Sequence, residues 1–176
     1  MEELFETFDE SGTRLGAVAR SEVHRLGYWH RASNIFLFRS NGKLLIQRRQ
    51  LSKDICPGAW DVSAAEHLKP GETFEEGAHR GLIEELGIRG IKIEAWGNVV
   101  KARHDNPDLG IKDFEFQQSF KGTYDGPVEI DPVEVLETRD IDLETLESEM
   151  NNSPESFTPW FLRRAEDLQL FAGDSP

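Results

Sequence analysis

Cysteine is nearly absent. Cys56 stands alone among 176 residues, so no internal disulfide framework can form, and this usage agrees with a reducing compartment. No stretch of about 18 consecutive apolar residues occurs, and the opening MEELFETFDESG is acidic and alternating where a secretory leader would be basic and then apolar. The expectation is a cytoplasmic chain with no membrane partner. Positive charge is the second shortage: 20 Lys and Arg face 33 Asp and Glu, for a formal net charge of -13, the wrong sign for binding a phosphate backbone through the overall field. Nucleic acid is therefore not expected as a partner. Repeats, low-complexity tracts and linker-like stretches are also missing. One domain over residues 1–176 is expected, with its core from about residue 30 to residue 171.

Apolar material is ample. Hydrophobic residues make up 38 %, with four Trp and eleven Phe, enough to build a core. Leu4 to Phe8 and Leu15 to Ala19 flank a cluster of turn formers and predict an N-terminal hairpin within residues 1–20. Ser21 to Leu26 predicts one helical turn capped by Ser21. Ser33 to Phe38 and Lys43 to Gln47 flank Asn41-Gly42, a strong hairpin signal. Trp60 to Ala65 predicts another strand, bounded by Pro57-Gly58 and Pro70-Gly71. Further strands are expected at Ile91 to Val100, Phe114 to Phe120 and Val128 to Val135, with a polar loop from Arg103 to Gly110. Leu143 to Met150 predicts a short helix, and Thr158-Pro159 opens a last one. Strands before and after one central helix argue for an α/β fold, a mixed sheet with helices packed on it.

That central helix is the clearest element. Phe74, Ala78, Leu82 and Leu86 recur every four residues, Thr73 and Glu76 have capping-box spacing, and Gly87 supplies the stop. Glu72, Glu76, Arg80 and Glu84 share one face, with Glu85 on the adjoining flank. Taken alone this is an ion-paired solvated face, each pair worth ~0.3–0.5 kcal/mol. From Glu66 to Ile88, however, the stretch resembles the Nudix box, G-x5-E-x7-R-E-U-x-E-E-x-G-U with U aliphatic. Glu72, Arg80, Leu82, Glu84, Glu85, Gly87 and Ile88 match seven of its nine fixed positions. The resemblance implies an α/β/α sandwich and hydrolysis of a diphosphate joined to another moiety, with Mg2+ or Mn2+ held by Glu84, Glu85 and, as a possible addition, Glu66. Glu72, Arg80 and Gly87 then have structural roles. Two positions depart: Glu66 replaces the first Gly, and Gly81 replaces the Glu after Arg, where many family members keep a metal ligand or base.

The remainder is similar to the branch of the family that looks like isopentenyl-diphosphate isomerase. The carrying residues are Glu22-Val23-His24, Trp29 to Ala32, Leu45 to Arg49, Lys53, Pro57 to Asp61, Ser63 to His67 and Asp113 to Phe116. The isomerase keeps a catalytic Cys where this chain has Ala65, so isomerisation is disfavoured. The likeness implies that Arg49 and Lys53 contact the diphosphate and that His67 contacts metal or phosphate. It also implies that His24 and His30, spaced one residue closer than expected, could join His67, Glu115 and Glu85 in a site for Zn, Mn or Mg; the alternative is that His24 and His30 are ordinary polar residues beside Trp29. Asp113 and Glu115 alternate with Phe114 and Phe116, so both carboxylates share a sheet face, one expected to meet the box helix and to supply a metal ligand or base. Glu134 sits where many family members carry an acidic residue. Cys56 reads as a packed small residue, and His79 and His104 as surface residues. The expected activity is hydrolysis of a small nucleoside, isoprenoid-like or thiamine-like diphosphate with Glu84, Glu85 and Glu115 as catalytic residues. A weakened domain that binds a diphosphate or a protein is the alternative.

Overall fold

The protein is described by a computed structural model covering residues 2–172. Strands β1 (Leu4–Phe8) and β2 (Arg14–Ala19) pair antiparallel as the expected hairpin. Its turn is fixed by Asp9, whose Oδ1 accepts from the Ser11 and Thr13 N–H groups, an Asx-type local bond. Helix α1 (Arg20–Leu26) follows, with Ala19 at the N-cap in place of the expected Ser21 and no side-chain cap. The Ser21 N–H donates instead to the Glu2 carboxylate. Gly27, at φ 76°, ends α1 and turns the chain into β3 (Trp29–Phe38).

Strand β3 is the axis of the sheet. Its far half meets β4 (Leu44–Arg49) across the Asn41-Gly42 turn. Its middle pairs antiparallel with β6 (Ala64–His67), and its whole length pairs in parallel with β8 (Ile111–Thr123). The single strand expected over Trp60 to Ala65 is two: β5 (Trp60–Asp61) pairs with β4, and β6 crosses to β3. Strand β7 (Ile93–Asn106) runs antiparallel to β8 almost to its end. The expected loop from Arg103 is therefore strand as far as Asn106, and only a short 3-10 turn at Pro107–Leu109 joins the pair. No strand forms over residues 128–134; β9 (Val135–Ile141) begins where that segment was expected to finish and pairs with β4.

Alternation along β3 and β4 sends neighbouring side chains to opposite faces. Ile35, Leu37 and Leu45 pack against Ala78, Leu82 and Leu86 of α2 (Phe74–Leu86). Phe36, Leu44 and Ile46 pack against α3 (Leu143–Asn152) and α4 (Pro159–Asp167) through Leu146, Met150 and Phe161. The result is the expected α/β/α sandwich. Buried residues begin earlier than residue 30, because Phe5 and Val23 are fully enclosed. Helix α2 carries its capping box as read: Thr73 Oγ1 accepts from the Glu76 N–H, the Glu76 carboxylate accepts from the Thr73 N–H, and Gly87 closes the end at φ 68°. No helix among the described residues is long and apolar enough to cross a membrane.

Leu82, fully buried between α2 and the sheet, offers a direct check on this packing. Leu82→Ala removes an isopropyl group whose space the sandwich cannot refill, and should lower unfolding stability by about 2–5 kcal/mol, read from the shift in denaturant midpoint at constant slope.

Candidate metal centre and cavity

Register places the first part of the site. The β3 and β8 pairing sets His30 beside Glu115 and Ala32 beside Gln117, while β6 sets His67 opposite Ala32. His24 arrives from α1, where it is buried with Val23. One ligand atom from each of His24, His30, His67 and Asp113 falls within 4.8 Å of all the others. His67 Nε2 lies 2.9 Å from Glu115 Oε1, and His30 Nε2 lies 3.2 Å from Asp113 Oδ1 and 3.8 Å from Glu115 Oε1.

The tautomer of His30 is set from behind. Its Nδ1 lies 3.1 Å from the Tyr28 carbonyl, which can only accept, so Nδ1 carries a proton and Nε2 is the nitrogen turned to the cluster. His24 Nε2, His30 Nε2 and Asp113 Oδ1 are all buried without a hydrogen-bond partner. Three orphaned donor atoms facing one another are unfavourable as they stand, and three imidazoles with carboxylates make a donor set that suits a first-row divalent ion. The residues present fit a cation. Burial, with Asp113 opposing it, pushes His24 down to about 4, so it stays a neutral ligand. Against burial, the hydrogen bond and charge of His30 and the charge of His67 hold Asp113 well below the usual carboxylate range. For His67 burial works downward, but the hydrogen bond and charge of Glu115 raise it overall.

One ring packs against all three imidazoles. Phe5, fully buried, lies 5.1 Å from His30 in a stacked geometry, 4.7 Å from His67 and 5.8 Å from His24 between ring centroids. Its strand is tied to β3 by Glu6, which accepts from Arg31 at 2.7 Å.

The cluster opens on a cavity of about 360 Å³ whose lining also includes Arg20, Arg49, Lys53, Ala65, Glu66 and Trp160. Arg49 lines it, whereas the adjacent Arg48 turns out to Glu137. Arg49 is not free: its guanidinium meets Asp61 Oδ2 at 3.3 Å and lies over the Trp160 ring. Asp61, fully buried, also accepts from Trp160 Nε1 at 2.7 Å, Thr158 Oγ1 at 3.0 Å and the Val62 N–H at 2.8 Å. Burial still raises its carboxyl overall. Lys53 reaches Glu134, which gives that acidic residue a partner.

The carboxylates expected to form one site fall into two groups. Asp113 and Glu115 share a face, but it meets the imidazoles and not α2. Glu85 is not in the histidine cluster: it is buried beneath β6, where it accepts from Gln47 Nε2 and from the Ala65 N–H at 3.2 Å. Burial, reinforced by Glu66 and Asp61, pushes its carboxyl well up. Glu84 is exposed and pairs with Arg80 at 3.0 Å and Lys69 at 3.4 Å. Arg80 binds Glu72 at 2.8 Å, Glu66 at 3.1 Å and the His67 carbonyl at 2.7 Å, which ties the helix to β6. His79 faces Glu75 at 3.9 Å. His104 is not a free surface residue, since it packs edge-on against Trp160 at 5.6 Å. Cys56 is half-buried at φ 49°, its thiol raised by burial. Arg20, Gln47, Asp61 and Trp160 were missed as site residues, and only Arg20, a cation just before the helical turn that carries His24, left any local signal.

Two outcomes check this geometry. Mn2+ should raise the melting temperature, as a ligand that binds only the native state must; His30→Ala should clearly reduce that shift, and a shift of unchanged size would refute the assignment. Asp61→Ala should cost about 3–5 kcal/mol, because it strands the buried partners of an ion pair, measured by denaturant unfolding.

Residues 28–161 match the family model described as NUDIX domain. The chain is 38 % identical over 149 residues to a Cereibacter sphaeroides protein named isopentenyl-diphosphate Delta-isomerase, covering 84 % of this chain and 82 % of that one. It is 34 % identical over 160 residues to a protein of the same name from Streptomyces avermitilis, covering 90 % and 80 %. Among solved structures, DR0079 from Deinococcus radiodurans superposes with a TM-score of 0.76 at 22 % identity, covering 94 % of this chain and 99 % of that chain, and MutT protein from Methanosarcina mazei does so at 0.67 and 18 %, covering 83 % and 96 %. These last two likenesses speak for the fold. With its box on α2, its sandwich and a family match over most of its length, the chain belongs to the Nudix family and is similar to isopentenyl-diphosphate isomerases.

Proposed function

We propose that this chain is a divalent-cation-dependent hydrolase of a small organic or nucleoside diphosphate. The observation that carries the reading is the convergence of the unpartnered His24 Nε2, His30 Nε2 and Asp113 Oδ1 at a cavity that also presents Arg20, Arg49 and Lys53. His24, His30, His67, Asp113 and Glu115 would hold the cation, with Mn2+ suiting the imidazoles better than Mg2+. When bound, the cation neutralises diphosphate charge and makes water a better nucleophile.

The chain's own residues do the rest. Arg20, Arg49 and Lys53 place three positive charges on the cavity that admits the diphosphate, the arginines with bidentate geometry and the lysine as a point charge. Glu115, held by His67 and by Gln117 Nε2, has a fixed carboxylate to accept a proton from water. Ile55, Ile111 and Trp160 supply the apolar wall for the organic half. Glu85 and Glu66 would serve as cation ligands on the box side, and Glu84, out in solvent, as a charge partner for Arg80.

Hydrolysis is preferred to isomerisation because Ala65 lines the cavity where the isomerase keeps its catalytic Cys, and a methyl group can neither give nor take a proton. Isomerisation remains the second reading, favoured by the names of relatives at 34 % and 38 % identity. One assay separates them. With Mn2+ and a panel of isopentenyl, thiamine and nucleoside diphosphates, phosphate release should depend on metal and fall about 10²-fold or more in Glu115→Gln. Dimethylallyl diphosphate as the product would install the second reading, and neither product from any substrate would overturn both.

A further inference from the structure

The two departures from the box, Glu66 and Gly81, meet in space. Gly81 lies in the second half of α2 and is not among the glycines with positive φ, so the backbone does not demand glycine there, and glycine is a poor helix former. A neighbour demands it. A Cβ at position 81 would stand 2.8 Å from Glu66 Cβ, 3.4 Å from Glu66 Cγ and 3.5 Å from Glu85 Oε1. The first contact is between two atoms fixed by their backbones, with Glu66 held opposite Ser33 in the β3 and β6 ladder. No rotamer change relieves it.

A side chain at position 81 and one at position 66 would therefore start into the same space beside Glu85, and only one can be present. In this chain it is Glu66, which lines the cavity next to Ala65 and His67, whereas Glu84 and Glu85 are not among the described lining residues. Arg80 Nη1 steadies its carboxylate at 3.1 Å. We propose that Glu66 and Gly81 are one transposed unit: strand β6 carries the carboxylate that the box motif places on the helix, and the glycine exists to make room for it. Glu66 is then a cation ligand on the box side of the cavity, and the missing helix glutamate is relocated, not lost. This rests on the cation-dependent reading of the site.

The test is a cycle of Glu66→Gly, Gly81→Glu and the double variant, with Glu66→Gln as the variant that keeps volume and removes charge. Two readouts serve: melting temperature without metal, and Mg2+ affinity by calorimetry, Mg2+ being chosen because it prefers oxygen ligands. Gly81→Glu alone should melt several degrees below wild type through overpacking. Glu66→Gly and Glu66→Gln should each weaken Mg2+ binding about tenfold or more, and the double variant should recover both quantities to within about twofold in affinity and a degree or two in melting, a strongly non-additive result. Additive melting shifts would overturn the transposition. Unchanged Mg2+ affinity in Glu66→Gln would overturn the ligand role alone. A wild type without any Mg2+ binding would overturn that role together with the box-side cation site, and a wild type without cation-dependent turnover would overturn the hydrolase reading while the metal-free melting cycle still decided the steric half.

Discussion

Ten consecutive residue pairs, from Trp29 with Phe114 to Phe38 with Thr123, lock β3 to β8 in parallel, and the rest of the molecule depends on that register. A slip of one residue would reverse every side chain of one strand, turning His30 away from Glu115. The opposite face of the same ladder is what prevents the slip. Trp29 packs on Phe114 and Phe116 at 5.5 and 5.1 Å, with Arg103 and Lys101 laid over the rings. Aromatic packing on one side thus sets the positions of polar donors on the other.

Electrostatics in the interior are arranged in compensated groups. Asp61 is surrounded by the donors Arg49, Val62, Thr158 and Trp160, Glu6 by Arg14 and Arg31, and Arg80 by Glu66, Glu72 and Glu84. In the histidine cluster, by contrast, three buried polar atoms without hydrogen-bond partners, His24 Nε2, His30 Nε2 and Asp113 Oδ1, converge on one another. The cluster and the Glu85 carboxylate, which burial, Glu66 and Asp61 push well up, are the two places where buried charge is least compensated. The surplus of 33 acids over 20 bases lies mostly elsewhere, on solvated faces.

What could be read from the chain alone divides by the range of the signals. Helix α2 was legible because its cap, stripe and stop are all local. The histidine set was legible only through likeness. Its short His24 to His30 spacing works because Gly27 ends α1 in the left-handed region and sends the chain straight into β3. Arg103 to Asn106 misled because they are polar yet sit in a two-stranded ribbon whose pairing with β8 supplies the order. Val128 and Ile130 misled in the opposite sense: their alternation suits a strand, but they pack on the α2 side of the core as an irregular segment. His104 gave no sign of Trp160, and Arg49 none of Asp61, because those partners arrive from other strands and from the last helix. Gly81 was visible as an anomaly, but its reason lay across the fold in Glu66.

Phe5 lies outside residues 28–161, the part that matches the family model, yet its ring is the floor under three imidazoles. The hairpin that carries it meets β3 through the backbone pair of Phe8 with Trp29, the Glu6 to Arg31 bond, the Phe8 ring beneath the Arg31 guanidinium and the Phe5 ring on His30. One wall of the candidate cation centre is thus supplied by a hairpin with its own turn. In engineering terms, shortened clones and bulky N-terminal fusions that displace β1 become perturbations of the histidine cluster's geometry. In evolutionary terms, exchanging this hairpin offers a route to retune the cluster without touching any of its imidazoles or carboxylates.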